Sequence, residues 1–317
     1  MELNVLKLIV KDKIMSNFCL KQVSVYLLNT DNIPNLEIIE EKLKKAQLQP
    51  CMGLDWDSIG FSNPVPFSTE MVYPAQNTWR ISLKKEEKVL PAAVINEILD
   101  EKITEIREVE GRNVGRKEKN ELKQIITDDL LPRALTKSSK TEAIIDTQYG
   151  FLLINQANSN RAEMLLTKLR DALGGFEAKL PRTQQSPSSL MTEWLLRGRA
   201  EGHFDLDSDC ELVGLGDAAP VVKISRHDLT VEEINNLLRS GKIVTQLGLS
   251  WRDRVRFVLT QDFTLKRIQF LDVIQEEAAA QADDIESLTF ASQILMAETL
   301  SELITELIDH LGGLTTE

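Results

Sequence analysis

The chain has 317 residues, a formal charge of −12, 42% hydrophobic and 27% charged residues, a balance ordinary for a soluble globular protein and long enough for two or three domains. No apolar run approaches the ~20 residues of a membrane span, and no stretch joins a basic start, an apolar centre and a small-residue cleavage site, so export is not expected. Cys19, Cys51 and Cys210 are odd in number and widely spaced, which suits a reducing cytoplasm better than a disulfide framework.

Residues 1–14 read as weakly structured, an extension or a misplaced start before Met15. Residues 21–28 alternate like a half-buried strand, and 36–46 carry the spacing of a short amphipathic helix. Residues 50–78, rich in Pro, Asn, Ser and Gly, are expected to be loops around a short strand, with a strand pattern resuming over 79–89. Over 92–131 apolar residues recur at helical spacing on both sides of Gly111 and Gly115, predicting a helical hairpin with heavily charged outer faces. Such a stripe must be buried against something, either its own sheet or a partner subunit.

Residues 141–154 predict two strands around Gly150, followed by a helix over 161–173 that stops at Gly174-Gly175. Residues 181–189 (PRTQQSPSS) are the linker candidate. Beyond it the pattern gives a helix near 192–197, a strand at 221–225, and a capping box at Thr230-Val-Glu-Glu233 opening a helix to about Arg239. Strands are expected at 242–249, 252–259 and 265–270, then a long acidic amphipathic helix in one or two pieces ending at Gly312-Gly313. No fixed-period repeat is present.

The net charge hides a division along the chain. Residues 271–317 hold eleven acids and no Lys or Arg, which leaves −1 for residues 1–270. Residues 221–270 hold nine Lys/Arg against five acids. A polyanion responds to the local field, so an acidic total does not exclude nucleic acid.

That basic stretch contains WRDRVRFVLTQDFTLKRIQF at 251–270. Successive side chains of a strand point to opposite faces, so Val255, Phe257 and Leu259 are expected inside while Arg252, Arg254 and Arg256 share the outer face. Lys242, on the face of Val244, Gln246 and Gly248 of the preceding strand, is expected to join them, with Lys223, Arg226, Lys266 and Arg267 nearby. Arginine rows suit phosphate contact, and without interleaved aromatics they favour backbone over base recognition. The plain alternative is a solvated face whose arginines pair with the acidic terminal helix.

No Walker A loop, no G-x-G-x-x-G after a strand and no G-x-S-x-G elbow occurs. His203, His227 and His310 have no zinc spacing, and nothing implies a cofactor. Asp205, Asp207 and Asp209 match the start of a calcium loop, but Cys210 stands where glycine is needed and Gly216 where a glutamate is needed. As an acidic loop these aspartates are also candidates for the Mg²⁺ ligands of a two-metal nuclease, the first rival to DNA binding. The second rival is a protein-interaction module.

LKKEEKVLPAAVI (83–95), DLLPRAL (129–135), MTEWL (191–195), DLTVEEI (228–234) and GKIVTQLGLSWRDRVRFVLTQDFTLKRIQF (241–270) together resemble the bacterial recombination-associated RdgC family, in order and spacing from about Met15 to the LGG at 311–313. The resemblance implies a non-enzymatic homodimer closed into a ring with a positively charged hole for duplex DNA, with single-stranded DNA left open as a second ligand. It also implies little sequence preference, opposition to the bacterial recombinase, and a cytoplasmic, nucleoid-associated place of action that includes the replication fork. It further implies an α+β subunit: a mixed-sheet central domain (15–90 and 132–180), a helical tip (91–131) and a base domain (190–317) with acidic C-terminal helices. Under it Lys242, Lys223, Arg226, Arg252, Arg254 and Arg256 are the first candidates for the DNA-lining surface. Lys84, Lys85, Lys88, Arg133, Lys137 and Lys140 come second, because Lys84-Lys85-Glu86-Glu87-Lys88 also reads as a self-compensating cluster. The tip becomes a partner-reaching arm, with Ile103, Ile106, Leu122 and Leu135 as interface candidates. At Leu135 the family commonly has an aromatic residue.

Overall fold

The computed structural model describes residues 19–214, 216, 219–280 and 284–315; the expected extension at 1–14 lies outside them. In chain order the elements are β1 (Val23–Leu28), α1 (Leu36–Lys45), β2 (Asp57–Ser62), β3 (Val72–Ala75), β4 (Thr78–Val89), α2 (Ala92–Glu110) and α3 (Arg116–Leu130). Then follow β5 (Leu135–Asp146), β6 (Phe151–Ile154), α4 (Ser159–Leu173), β7 (Ala178–Lys179), α5 (Pro187–Arg197), β8 (Phe204–Val213) and β9 (Val221–Ile224). The chain closes with α6 (Glu232–Arg239), β10 (Ile243–Trp251), β11 (Val255–Thr260), β12 (Thr264–Phe270), α7 (Asp272–Ala280) and α8 (Ile285–His310). The result is an α+β fold with eight α-helices among the described residues.

All twelve strands join one sheet in the order β2-β4-β5-β6-β1-β12-β11-β10-β8-β9, with β3 added on β4 and β7 on β1. Every ladder among the described residues is antiparallel, a correction to the expected mixed sheet; Gln47 and Phe61 form an isolated parallel bridge. The join between the two halves is β1 against β12, with Val23 opposite Leu265 and Ser24 opposite Thr264. Its middle strands are buried on both faces: Ile144 and Leu153 enter one core, while Ala143, Ile145 and Leu152 enter the other. Burial on both sides explains why these strands read as unbroken apolar runs rather than as alternation.

One core lies under α1 and α4, which contribute Ile39, Leu43, Leu165 and Leu169 against Phe61, Ile81 and Leu83. The other lies on the opposite face beneath α5–α8. There Trp194, Ile234, Ile274 and Leu300 meet Leu247, Leu249, Phe257, Leu259 and Leu265.

Helix α8 is about 39 Å long at 1.5 Å per residue, and it crosses the sheet from the first half to the second. As the amphipathic pattern predicts, one face of it is buried, with Leu288, Gln293, Met296, Leu300, Ser301, Leu303, Ile304 and Leu307 inside. Polar groups fix its register. Gln293 Nε2 donates to the carbonyl of Thr78 (3.1 Å), and its Oε1 accepts from Arg80 Nε (3.1 Å). The guanidinium of Arg80 is fully buried and pairs with Glu142 at 3.0 Å. Further along, Ser301 Oγ donates to Asp146 (2.6 Å), whose other oxygen accepts the backbone N–H groups of Gln148 and Tyr149. Buried polar groups must be satisfied, so these bonds allow a single register.

One local expectation is corrected. The Thr230 capping box does not form: α6 starts after Val231 without a side-chain cap, and Thr230 Oγ1 donates to Asp228 instead. The capping box occurs at Asp284 with Ser287, opening α8. Within the linker candidate, the backbone N–H groups of Gln184 and Gln185 donate to the carbonyls of Gly313 and Leu311, and Ser186 caps α5.

Helices α2 and α3 form a hairpin with a small core of Ile95, Leu99 and Ile126, onto which Ile103 and Leu122 pack. Ile106 is half-buried further out. Leu135, opposite Val89 in the β4–β5 ladder, is 81% exposed. No helix among the described residues is long and apolar enough to cross a membrane.

Candidate nucleic-acid interface

In the second half the sheet has one covered and one polar face. Val255, Phe257 and Leu259 point into the core as alternation requires. The opposite face presents Arg256 between Ser250 and Gln269, and Val258 between Gly248 and Lys266. Arg256 and Lys266 are therefore diagonal neighbours across two strands, close enough for both to meet one backbone. Neither forms an ion pair among the described residues. Arg256 and Gln269 are exposed and Lys266 is half-buried.

The expected row Arg252–Arg254–Arg256 is broken. Arg252 and Asp253 have φ of 48° and 52°, forming the left-handed turn between β10 and β11, so β11 begins only at Val255. A hairpin turn of this hand needs positive φ at both central residues, a conformation aspartate tolerates. The turn delivers Arg252 and Arg254 to the acidic helices. Arg252 pairs with Glu302 at 2.8 Å and sits 4.4 Å over the Trp251 ring. Arg254 pairs with Glu277 at 2.6 Å. For these two the solvated, acid-paired alternative is the one observed.

Beside them, Glu306 accepts from the His203 N–H (2.8 Å) and Trp251 Nε1 (3.0 Å), with the His203 ring 3.0 Å away. Burial alone would push this carboxyl up. The hydrogen bonds from His203 and Trp251 outweigh burial and hold it below its ordinary value.

The other candidates scatter for identifiable reasons. A register shift at Thr245 places Val244 in the core, so Lys242 no longer shares a face with Gln246 and Gly248; its Nζ donates to Ser240. Lys223, on edge strand β9, pairs with Glu211 at 3.0 Å. Arg226 has φ 55°, and its backbone N–H donates to Asp209. A second shift in β12, with Arg267 at φ 51°, turns Arg267 toward Asp209, 2.7 Å away.

In the first half Lys84 pairs with Glu86, and Lys85 with Asp57 and Glu87, while Lys88 is buried with its ammonium on the Gly53 carbonyl. Arg133 pairs with Asp129, Lys140 donates to the Asn63 carbonyl, and Lys137 is exposed. The self-compensating reading of 84–88 thus fits the geometry. The structure brings together Arg256, Lys266 and Arg267 and disperses the rest.

The acidic loop is in fact strand β8. Its bulge places Asp207 and Asp209 beside Gly248, and Asp209 is tied to Arg267. Among the described residues no three His, Cys, Asp or Glu are grouped to hold a metal. Gly248 lies on the outer face where alternation put it; Asp209 was missed as part of that face, because only the pairing of β8 with β10 brings it beside Gly248.

In the second half of the chain the antiparallel sheet carries helices over one face, and its other face is polar and partly cationic. The chain belongs to the RdgC family: the model described as "Putative exonuclease, RdgC" matches residues 18–314. Recombination-associated protein RdgC of Neisseria meningitidis is 60% identical over 293 residues, covering 92% of this chain and 98% of that protein. The proteins of the same name from Laribacter hongkongensis and Pseudomonas aeruginosa are 45% and 35% identical, each over 296 residues. They span 98% and 97% of those proteins.

Proposed function

We propose that the protein binds double-stranded DNA without base preference and acts as a non-enzymatic restraint on recombinase-mediated homologous recombination. The observation that carries this is the polar sheet face on which Arg256 and Lys266, beside Ser250 and Gln269, form no ion pair among the described residues, although acids of β8 lie two strands away from β11. Affinity comes from counterions released as these side chains meet phosphates. The name of the relatives, recombination-associated, agrees with a DNA ligand.

Two copies close into a ring around the duplex in this reading, with the tip hairpin as one contact. The exposed pair Leu135–Val89 at its root supports that arrangement, since a paired apolar surface on a protruding arm fits a second copy. A nuclease remains the reading to beat because of the family description, yet Asp209 spends its carboxylate on Arg267 and Asp207 accepts the Ser208 N–H.

The test is loading onto linear duplex with free or bulky blocked ends, in Mg²⁺ buffer, alongside a solution mass. A two-chain mass, loading on free ends only, and intact recovered DNA are expected. A one-chain mass, or equal binding to blocked ends, would contradict the closed ring, and cut DNA would contradict the non-enzymatic reading.

A further inference from the structure

Asp209 is held the way a phosphate would be. One carboxylate oxygen accepts from the Arg267 guanidinium at 2.7 Å, and the other accepts the backbone N–H of Arg226 at 3.1 Å. Guanidinium and backbone N–H groups are the donors that proteins turn to DNA phosphates. The arrangement crosses the polar face. Strands β11 and β10 lie between β12 and β8, so Arg267 must extend over Val258 and Gly248 to reach its partner. The β8 bulge comes close at Gly248, where a Cβ would lie 3.1 Å from the Asp209 carbonyl and 3.4 Å from the Cβ atoms of Asp207 and Asp209, so the glycine lets Asp209 approach this face. The pair is also open to competition, since the Arg267 side chain is 68% exposed.

We infer that the Asp209 carboxylate is a built-in competitor for DNA phosphate, holding Arg267 across the sheet face and lowering affinity for duplex. The inference rests on the reading that this face meets DNA. It assigns to Asp209 a role opposite to catalysis or metal binding. A protein that encircles DNA without stopping on it gains from such damping, because each surrendered phosphate contact weakens hold and salt dependence together.

The test measures binding of a generic duplex against salt for wild type, Asp209→Asn, Asp209→Asn/Arg267→Gln and Glu41→Gln. Asparagine keeps an acceptor for the Arg226 N–H but removes the charge. Asp209→Asn should bind about fivefold more tightly at roughly 0.15 M salt, with a slope of log K on log salt steeper by about 0.9, one added phosphate contact. The double variant should lose that gain. Glu41→Gln, on α1 in the first half, makes the same change in net charge and should leave the slope unaltered. An equal gain in Glu41→Gln would mean a general field effect and overturn the inference. So would no gain in Asp209→Asn, or a gain that survives loss of Arg267, while wild type still binds steeply with salt. A wild type without salt-dependent duplex binding would instead remove the underlying reading.

Discussion

Replacing Arg256 and Lys266 together with glutamine is expected to weaken duplex binding about thirtyfold at roughly 0.15 M salt for each copy of the face that meets DNA. The slope of log K on log salt should flatten by about 1.8, because each lost phosphate contact removes about 0.9. The two side chains stand on the same face and form no ion pair among the described residues, so their charge is available to a polyanion. Their removal breaks no internal bond that the fold relies on, and the thermal midpoint should hold. Arg252→Gln is the informative contrast. That side chain is engaged by Glu302 and the Trp251 ring, so its loss should disturb the hairpin more than the salt slope. A double variant with wild-type affinity and slope would move the DNA contact elsewhere.

The largest stability effect is expected at Arg80. Arg80→Ala should cost about 3 kcal/mol, measured by denaturant unfolding, because it leaves the half-buried Glu142 carboxylate and the buried Gln293 amide without their partner. Glu142 would lose its counter-charge and Gln293 Oε1 its donor, both at the point where α8 docks on β4 and β5. The effect should extend to the second half, since α8 spans both cores. A simultaneous Arg80→Met/Glu142→Gln change should cost less than Arg80→Ala, as the uncompensated carboxylate is removed with the arginine. A cost below about 1 kcal/mol for Arg80→Ala would mean that apolar packing alone sets the helix register.

Much of this architecture was legible before any coordinates. The strand patterns at 79–89 and 265–270 and the tip hairpin appear within a few residues of their expected bounds, because period-2 and period-3.6 patterns report directly on burial. What alternation does not carry is the position of bulges and left-handed turns. Thr245, Arg252-Asp253 and Arg267 each insert or reverse one residue, and each reassigns the side chains beyond it to the other face. That is why Lys242, Arg252 and Arg254 leave the expected basic row while Arg256 stays.

Long-range partners were equally hidden. Nothing local to β8 says that its aspartates lie on the same face as Lys266, and an acidic run between glycines reads as loop until β10 is placed beside it. Helix α8 was legible as an amphipathic helix, but its polar inner contacts were not: the buried Ser, Thr and Gln of its inner surface find their partners on distant strands. The segregation of acids from the basic stretch is therefore partial, since Glu211 and Asp209 sit among the cations they neutralise.

The most direct test of the DNA-binding face is amine labelling of Lys266 with and without a saturating generic duplex, with Lys44 on α1 as the internal reference. Occupation of the sheet face predicts strong protection at Lys266 and none at Lys44. Equal labelling of Lys266 in the free and bound protein, under conditions where binding is complete, would contradict it.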